Sequence, residues 1–329
     1  MLPPAAARWL TTHTSASADW PAFSVRDQAR AQGVSVAVVL PALNEAATVG
    51  TIVTSIIDSH TGPDGLVSEV VVIDSGSTDE TAEVAIRAGA RVVSKEGVLG
   101  HLPAVAGKGE AMWRGVAATS SDIVVFVDAD LQSFTPDYIN ALVGPLLADP
   151  EIQLVKAIYE RPLVAGEHVV PAGGGRVTEL VARPLLNQFW PDLTAVVQPL
   201  AGEYAARRTL LECLPFPCGY GVEFALMVDT YERHGLQALA QVDLGVRVHR
   251  HHLDQGLGVM ASEILATAMR RVPGGAATAP GQERVSAGQL TQFERTPDGY
   301  QPRTRELSTE ERPALASLPL PSPSTTGGL

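Results

Sequence analysis

Short apolar runs and one-sided helical patterns take turns along the first part of the chain. Val34 to Leu40 is apolar except at Ser35 and predicts a strand stopped by Pro41. Val49, Ile52, Val53, Ile56 and Ile57 then fall at i, i+3, i+4, i+7 and i+8, the stripe of a helix lying on a core. Val67 to Ile73 predicts a second strand, followed by the polar loop Asp74 to Asp79 and a helix through Glu83 and Ile86 that ends at Gly89. Ala90 to Ser94 reads as a short third strand and Val98 to Gly109 as a loop. Met112, Trp113 and Val116 begin another helix. In Asp122 to Asp130, five apolar residues, Ile123 to Val127, form the run expected of a strand buried on both faces. Strands alternating with helices through short links predict an α/β fold with a mostly parallel, doubly wound sheet.

Beyond Pro136 the texture changes. Leu142, Val143, Leu146 and Leu147 mark a helix and Ile152 to Tyr159 a strand; the loop Pro171 to Arg176 precedes a helical stretch from Val177 to Trp190. Val222 to His234 and Leu257 to Val272 predict two further helices, with a strand-like Val242 to His249 between them. From Pro273 the chain is rich in Ala, Gly, Pro, Ser and Thr, and most of it is expected to be mobile, with a possible ordered island at 289–295. The predicted organisation is an extension over 1–33, a first half over 34–135, a second half over 136–272 and a tail over 273–329.

The bulk numbers narrow the function. A chain of 329 residues suits one large domain or two closely packed ones. Its net charge of −12 argues against nucleic-acid binding, so an anionic ligand needs a local basic cluster or a metal. No apolar run reaches the length of a membrane span, and the N-terminus lacks the features of a secretory signal. Cys213 and Cys218 have neither redox-motif nor zinc spacing and are expected to be reduced thiols of a cytoplasmic protein.

The candidate chemistry gathers at strand ends. Asp128 and Asp130 lie two apart at the end of a predicted strand and face one direction if the backbone stays extended. Such a pair suits a divalent ion bridging to a nucleotide diphosphate, or else is an Asp-rich turn. Pro41 to Glu45 reads either as a helix start capped by Asn44 or as a nucleoside cradle with Glu45 on a ribose hydroxyl. Asp74 to Asp79 is likewise a helix cap or a second polar loop of a site. All three fall where open α/β sheets bind ligands, and together they favour a nucleotide-sugar site. No dinucleotide fingerprint or nucleophile elbow is present, and Gly107-Lys108-Gly109 is not a Walker A loop. Three His and two Arg between Arg247 and His252 suggest an anion or metal site.

Val38 to Glu45, Val72 to Thr81, Gly107 to Glu110 and Phe126 to Asp130, in that order, resemble the GT-A fold glycosyltransferases. Gly173 to Leu186, Gln198 to Ala206, Gly219 to Glu223, Leu244 to Arg250 and Leu290 to Phe293 are similar to the actinobacterial glucosyl-3-phosphoglycerate synthases, over about residues 34 to 295. The resemblance makes the first half a nucleotide-sugar-binding half and the second an acceptor-binding one. It implies a UDP-sugar held by Pro41, Ala42, Leu43, Glu45, Ser75 and Lys108, with Asp128, Ala129, Asp130, Tyr220 and Arg247 on the same donor. Many relatives of the wider fold carry Asp where Ser75 stands, so uracil recognition would lean on the backbone. Asp130 and His249 are the implied ligands of Mg²⁺, Mn²⁺ or another divalent cation, and Asp128 holds the ribose or donor sugar, or orients Asp130. Gly175, Arg176 and Thr178 are implied acceptor contacts, with an Arg beside free helix amides suiting a phosphate. His251 stands where relatives have Asn. Glu223 and Leu200 are implied at the reacting centre together with Asp130, and Ala201 replaces a family Gly.

The implied activity is retaining transfer of glucose from UDP-glucose to the 2-hydroxyl of 3-phosphoglycerate by a homodimer. Mannosyl transfer from GDP-mannose to the same acceptor, a sugar nucleotidyltransferase that would release pyrophosphate, and a non-catalytic sugar-nucleotide-binding module stand as alternatives.

Overall fold

A computed structural model describes residues 2–160, 163–165, 168–170, 175–246, 254–272, 288–297 and 299–319. In chain order the strands are β1 (Thr14–Ala16), β2 (Val36–Ala42), β3 (Glu69–Asp74), β4 (Arg91–Ser94), β5 (Ile123–Phe126), β6 (Leu154–Glu160), β7 (Leu163–Ala165), β8 (His168–Val170), β9 (Tyr204–Arg207), β10 (Phe216–Pro217), β11 (Leu239–Val246), β12 (Gln289–Thr296), β13 (Gly299–Glu306) and β14 (Glu311–Arg312). The helices are α1 (Pro4–Thr12), α2 (Ala22–Gln32), α3 (Val49–His60), α4 (Thr81–Arg87), α5 (Lys108–Ala118), α6 (Asp137–Ala148), α7 (Arg183–Phe189), α8 (Arg208–Cys213), α9 (Val222–His234) and α10 (Asp254–Arg271).

The central sheet has eight strands in the order β1-β11-β6-β9-β5-β2-β3-β4. Every pairing is parallel except those of β9, which lies antiparallel between β5 and β6. The continuous apolar runs have the meaning expected of them: Val36, Val38 and Leu40 of β2 and Ile123 and Val125 of β5 enter one core, with α2, α3 and α6. Val39, Val124 and Phe126 enter the other, with α1, α5, α7 and α9. A strand covered on both faces can be apolar at every position, which is why no alternation marks it.

Several expectations are corrected. Pro41 does not stop β2, which continues to Ala42 opposite Ile73 and Asp74. Val39 accepts the Val127 amide, so Pro41 faces the same flank, where β5 has already ended at Phe126; its missing N–H removes no ladder bond. Asp128 and Asp130 do not share a strand face, because the extended backbone ends at Phe126 and Ala129–Asp130 form a turn. The extension is part of the domain: β1 adds to the sheet beside β11, and buried Trp9 donates its indole N–H to the Leu239 carbonyl at 2.8 Å. Ordered structure in the tail, placed by the sequence only at 289–295, spans the β12–β13 hairpin and resumes at β14, which pairs with β10. Both cysteines are free, and burial, with the Glu110 carboxylate next, pushes the Cys218 thiol up to about 12. Among the described residues no helix is long and apolar enough to cross a membrane.

Candidate active site

Two loops at the carboxyl ends of β2 and β3 hold each other. Asn44 adopts a left-handed backbone (φ 58°), tolerable for Asn; its amide donates to Ser77 Oγ at 2.9 Å and its side-chain oxygen accepts the Thr78 amide at 2.8 Å. The Glu45 amide donates to Thr81 Oγ1 at 2.8 Å. Asn44 therefore does not cap α3, which begins only at Val49, but ties the first loop to the second.

Lys108 opens α5. A side chain at Gly107 or Gly109 would collide with the backbone of Cys218 or Pro217, whose strand passes close enough for the Glu110 amide to donate to the Cys218 carbonyl at 3.0 Å. The two glycines are thus a packing requirement, and the residue between them points into the cleft. There Lys108 Nζ bridges Asp128 and Glu223, at 2.6 Å each. Burial disfavours the ammonium, but the two carboxylates outweigh it and hold Lys108 well above the ordinary lysine range. Glu223 is buried in the first turn of α9.

The turn before β9 completes the floor. A Cβ at Gly202 would collide with the Asp128 carboxylate, whereas Ala201, the family departure, is fully buried in the core. The Ala201 carbonyl accepts a 2.6 Å hydrogen bond from Lys156, a buried lysine of β6 whose Nζ also lies 4.7 Å from the Tyr204 ring centre. Burial pulls the Lys156 ammonium down to about 8, against the raising influence of the Glu223, Glu203 and Asp128 carboxylates. Sequence reading passed over Lys156, because a single Lys within an apolar strand run carries no signal of what faces it.

Glu45, Lys108, Asp128, Gly202 and Glu223 line one cleft of about 900 Å³. Of the residues singled out in the sequence, it collects Pro41, Ala42, Leu43, Glu45, Ser75, Lys108, Asp128, Ala129, Asp130, Gly175, Arg176, Thr178, Leu200, Tyr220 and Glu223. Gly175 has φ +85°, leading into the helical run that carries exposed Arg176 and buried Thr178. Arg247, His249 and His251 lie outside the described residues.

The cleft also contains a wall that the sequence did not suggest, Glu306 to Glu310 of the tail together with Leu257, Met260, Glu263 and Ile264 of α10. Glu263 is buried, and its carboxylate accepts the Tyr220 amide at 2.8 Å and the Ser308 amide at 2.7 Å. Burial raises the Glu263 carboxyl and the two amide bonds pull it partly back. Farther on, Arg312 binds Glu110 at 2.6 Å, and the Pro313 carbonyl accepts the Trp113 indole N–H at 3.0 Å. The charged Glu311-Arg312 pair followed by Pro313 was the available signal, too short to stand out from an Ala/Pro-rich tail.

Acidic side chains around the cleft (Glu45, Asp128, Asp130, Glu223, Glu263, Glu306 and Glu310) outnumber the basic Lys95, Lys108 and Arg176 among the described lining residues. A diphosphate entering such a cleft needs further positive charge. The hard carboxylate oxygen of Asp130 fits a divalent cation of the Mg²⁺ or Mn²⁺ type shared with the ligand's phosphates.

A mostly parallel sheet with an acidic, lysine-bridged cleft at the carboxyl ends of its strands is the framework of a nucleotide-sugar-dependent glycosyltransferase. Residues 37–170 match the family model Glycosyl transferase family 2. The chain is 47% identical over 312 residues to the glucosyl-3-phosphoglycerate synthase of Mycolicibacterium smegmatis, covering 94% of this chain and 98% of that protein. It is 53% identical over 247 residues to the glucosyl-3-phosphoglycerate synthase of Mycobacterium tuberculosis, covering 74% of this chain and 75% of the relative. A crystal structure of the M. tuberculosis enzyme in complex with Mn²⁺, UDP-glucose and phosphoglyceric acid superposes with TM-score 0.77 at 47% identity, over 90% of this chain and 94% of that one. Another, with Mg²⁺ and UDP, gives 0.79 at 46% identity, over 92% and 97%. The chain belongs to the glucosyl-3-phosphoglycerate synthase family.

Proposed function

We propose that this enzyme transfers glucose from UDP-glucose to the 2-hydroxyl of 3-phosphoglycerate, with retention at the anomeric carbon, and that the cleft residues divide the work as follows. The carrying observation is one cleft joining the strand-end loops and the Asp128–Lys108–Glu223 bridge to Gly175–Thr178. Pro41–Leu43, Glu45 and Ser75 hold the uridine, with backbone groups reading the base. Lys108, released from its two carboxylates, offsets diphosphate charge: an ammonium 4 Å from a phosphate oxygen is worth about 4 kcal/mol at an effective dielectric near 20, before desolvation. Asp128 and Glu223 then take hydroxyls of the donor, and Leu200, Ala129 and Tyr220 shape its pocket, with Arg247 also on the donor. Arg176 and Thr178, beside Gly175, hold the acceptor phosphate, and His251 takes the place of the family Asn on the acceptor. Asp130 and His249 would hold the divalent cation, which supplies Lewis-acid stabilisation of the departing UDP.

Glu223, paired with Lys108 before the donor arrives, is assigned to sugar positioning afterwards, so no side chain is cast as a covalent nucleophile. The acceptor hydroxyl attacks from the face the UDP leaves, and the leaving phosphate takes its proton. Orientation and preorganised charge supply most of the rate. A homodimer follows from the family resemblance, and reduced thiols fit a cytoplasmic location.

The test is incubation of the purified chain with Mg²⁺ and 3-phosphoglycerate against UDP-glucose, GDP-glucose and GDP-mannose in parallel. Acceptor-dependent UDP release and an α-linked product by proton NMR are expected. Preference for GDP-mannose would establish the mannosyl reading, and a β-linked product would refute retention.

A further inference from the structure

The segment from Glu306 to Arg312 is tied to both sides of the cleft by specific bonds. On one side the Ser308 hydroxyl donates to the Ala106 carbonyl at 2.9 Å, and Arg312 donates to the Pro103 carbonyl and to Glu110. These anchors bracket the loop that runs into Lys108. On the other side the Cys218 amide donates to the Glu310 carbonyl at 2.8 Å, beside the turn that carries Tyr220 and leads to Glu223. Glu263 closes the arrangement from α10, with one carboxylate oxygen on the Tyr220 amide and the other on the Ser308 amide. A side chain at Gly219 would collide with both the Glu263 carboxylate and the Ser308 carbonyl, so the turn, the helix and the tail meet at that glycine. A buried carboxylate whose two oxygens each accept a backbone N–H is a strong and directional clamp, and losing it strands two amides.

We propose that Glu263 is a positioning residue for donor binding: it clamps the Glu306–Arg312 strap onto the Gly219–Tyr220 turn and thereby fixes the loop that presents Lys108. The strap is thus part of the donor pocket, bonded to the loop before Lys108 and to the turn that carries Tyr220. This rests on Lys108 and Tyr220 being donor contacts, as proposed for the transfer reaction.

The experiment uses the full chain with Mg²⁺ and compares wild type, Glu263→Gln and Ser308→Pro. Glu263→Gln keeps size but turns an NH₂ group toward one amide. Ser308→Pro leaves Glu263 intact and removes the N–H it binds. Each variant is expected to weaken UDP binding and raise KM for UDP-glucose by about tenfold, with KM for 3-phosphoglycerate within about twofold of wild type. Circular dichroism and the cooperativity of unfolding check that each variant is folded. Folded variants with unchanged donor KM, or with donor and acceptor KM rising together, would overturn the proposal. Lys108→Met, run alongside, tests the donor assignment separately: if it leaves UDP affinity unchanged while Glu263→Gln weakens it, the Lys108 reading fails and the clamp on Tyr220 stands.

Discussion

At the end of the cleft assigned to the donor, neighbouring strands of one sheet deliver Pro41–Glu45, Ser75 and Asp128–Asp130, and the first two loops are bonded to each other through Asn44, Ser77 and Thr78. From outside the sheet, Gly175–Thr178 on the acceptor side and α10 with the tail, clamped beside Tyr220 and the Lys108 loop, come from segments far apart in sequence and close the cleft. The first region takes its geometry from backbone pairing that the fold must form anyway. The second depends on single side chains such as Glu263, and on glycines that permit close approach. A sheet edge that orients a ligand is therefore insensitive to most point changes, while the added wall is sensitive to a few.

The largest expected effect removes the Lys108 bridge between Asp128, beyond a strand end, and Glu223 of α9. Lys108→Met should lower kcat/KM by about a hundredfold to a thousandfold, since a preorganised charge facing the diphosphate is lost; steady-state assays of UDP release measure it.

Next comes the buried lysine behind the floor. Below about pH 8 Lys156 is charged in both folded and unfolded chains, and the folded state bears the cost of burying it. Between about 8 and 10.5 only the unfolded chain keeps the proton, so wild-type stability should rise with pH through that window. Relative to Lys156→Met, the gain should total about 3 kcal/mol, read as the difference in urea unfolding between pH 7 and high pH. Lys108, held above its ordinary range, contributes in the opposite sense only above 10.5 and is common to both proteins.

A smaller effect is expected at Gly202→Ala. Its methyl group meets the Asp128 carboxylate and should cost about 2 kcal/mol in the same unfolding assay, whereas Ala201→Gly, which restores the family residue, should change stability by less than about 1 kcal/mol. Equal costs at the two positions would show that the turn is not pressed against Asp128.

The mildest change is at the rim: Arg176→Ala should raise KM for 3-phosphoglycerate about tenfold and leave KM for UDP-glucose unchanged, because exposed Arg176 is assigned to the acceptor phosphate alone. A matching rise in donor KM would erase the division between the two ends.

The same contrast decides what could be read before the structure. Apolar runs fixed β2, β3, β5 and the helices between them, and with them the position of Asp128, because a strand buried on both faces is plain in sequence. Antiparallel β9 was missed, since Tyr204–Arg207 is four residues long and mixes Ala with Arg. The same-face reading of Asp128 and Asp130 failed because nothing in the residues marks the end of β5 at Phe126. The role of the Gly107-Lys108-Gly109 glycines depended on Pro217 and Cys218, more than a hundred residues away, and Glu263 had no motif at all. Such pairings follow from three-dimensional approach, and one sequence records only one side of each.

The most direct measurement of the central claim is a single reaction mixture of purified chain, Mg²⁺, UDP-glucose and 3-phosphoglycerate, with UDP and glucosyl-3-phosphoglycerate quantified together. The two products should appear in equal amounts, require the acceptor, and fall together in Lys108→Met. UDP release that ignores 3-phosphoglycerate, or no release at all, would contradict the account.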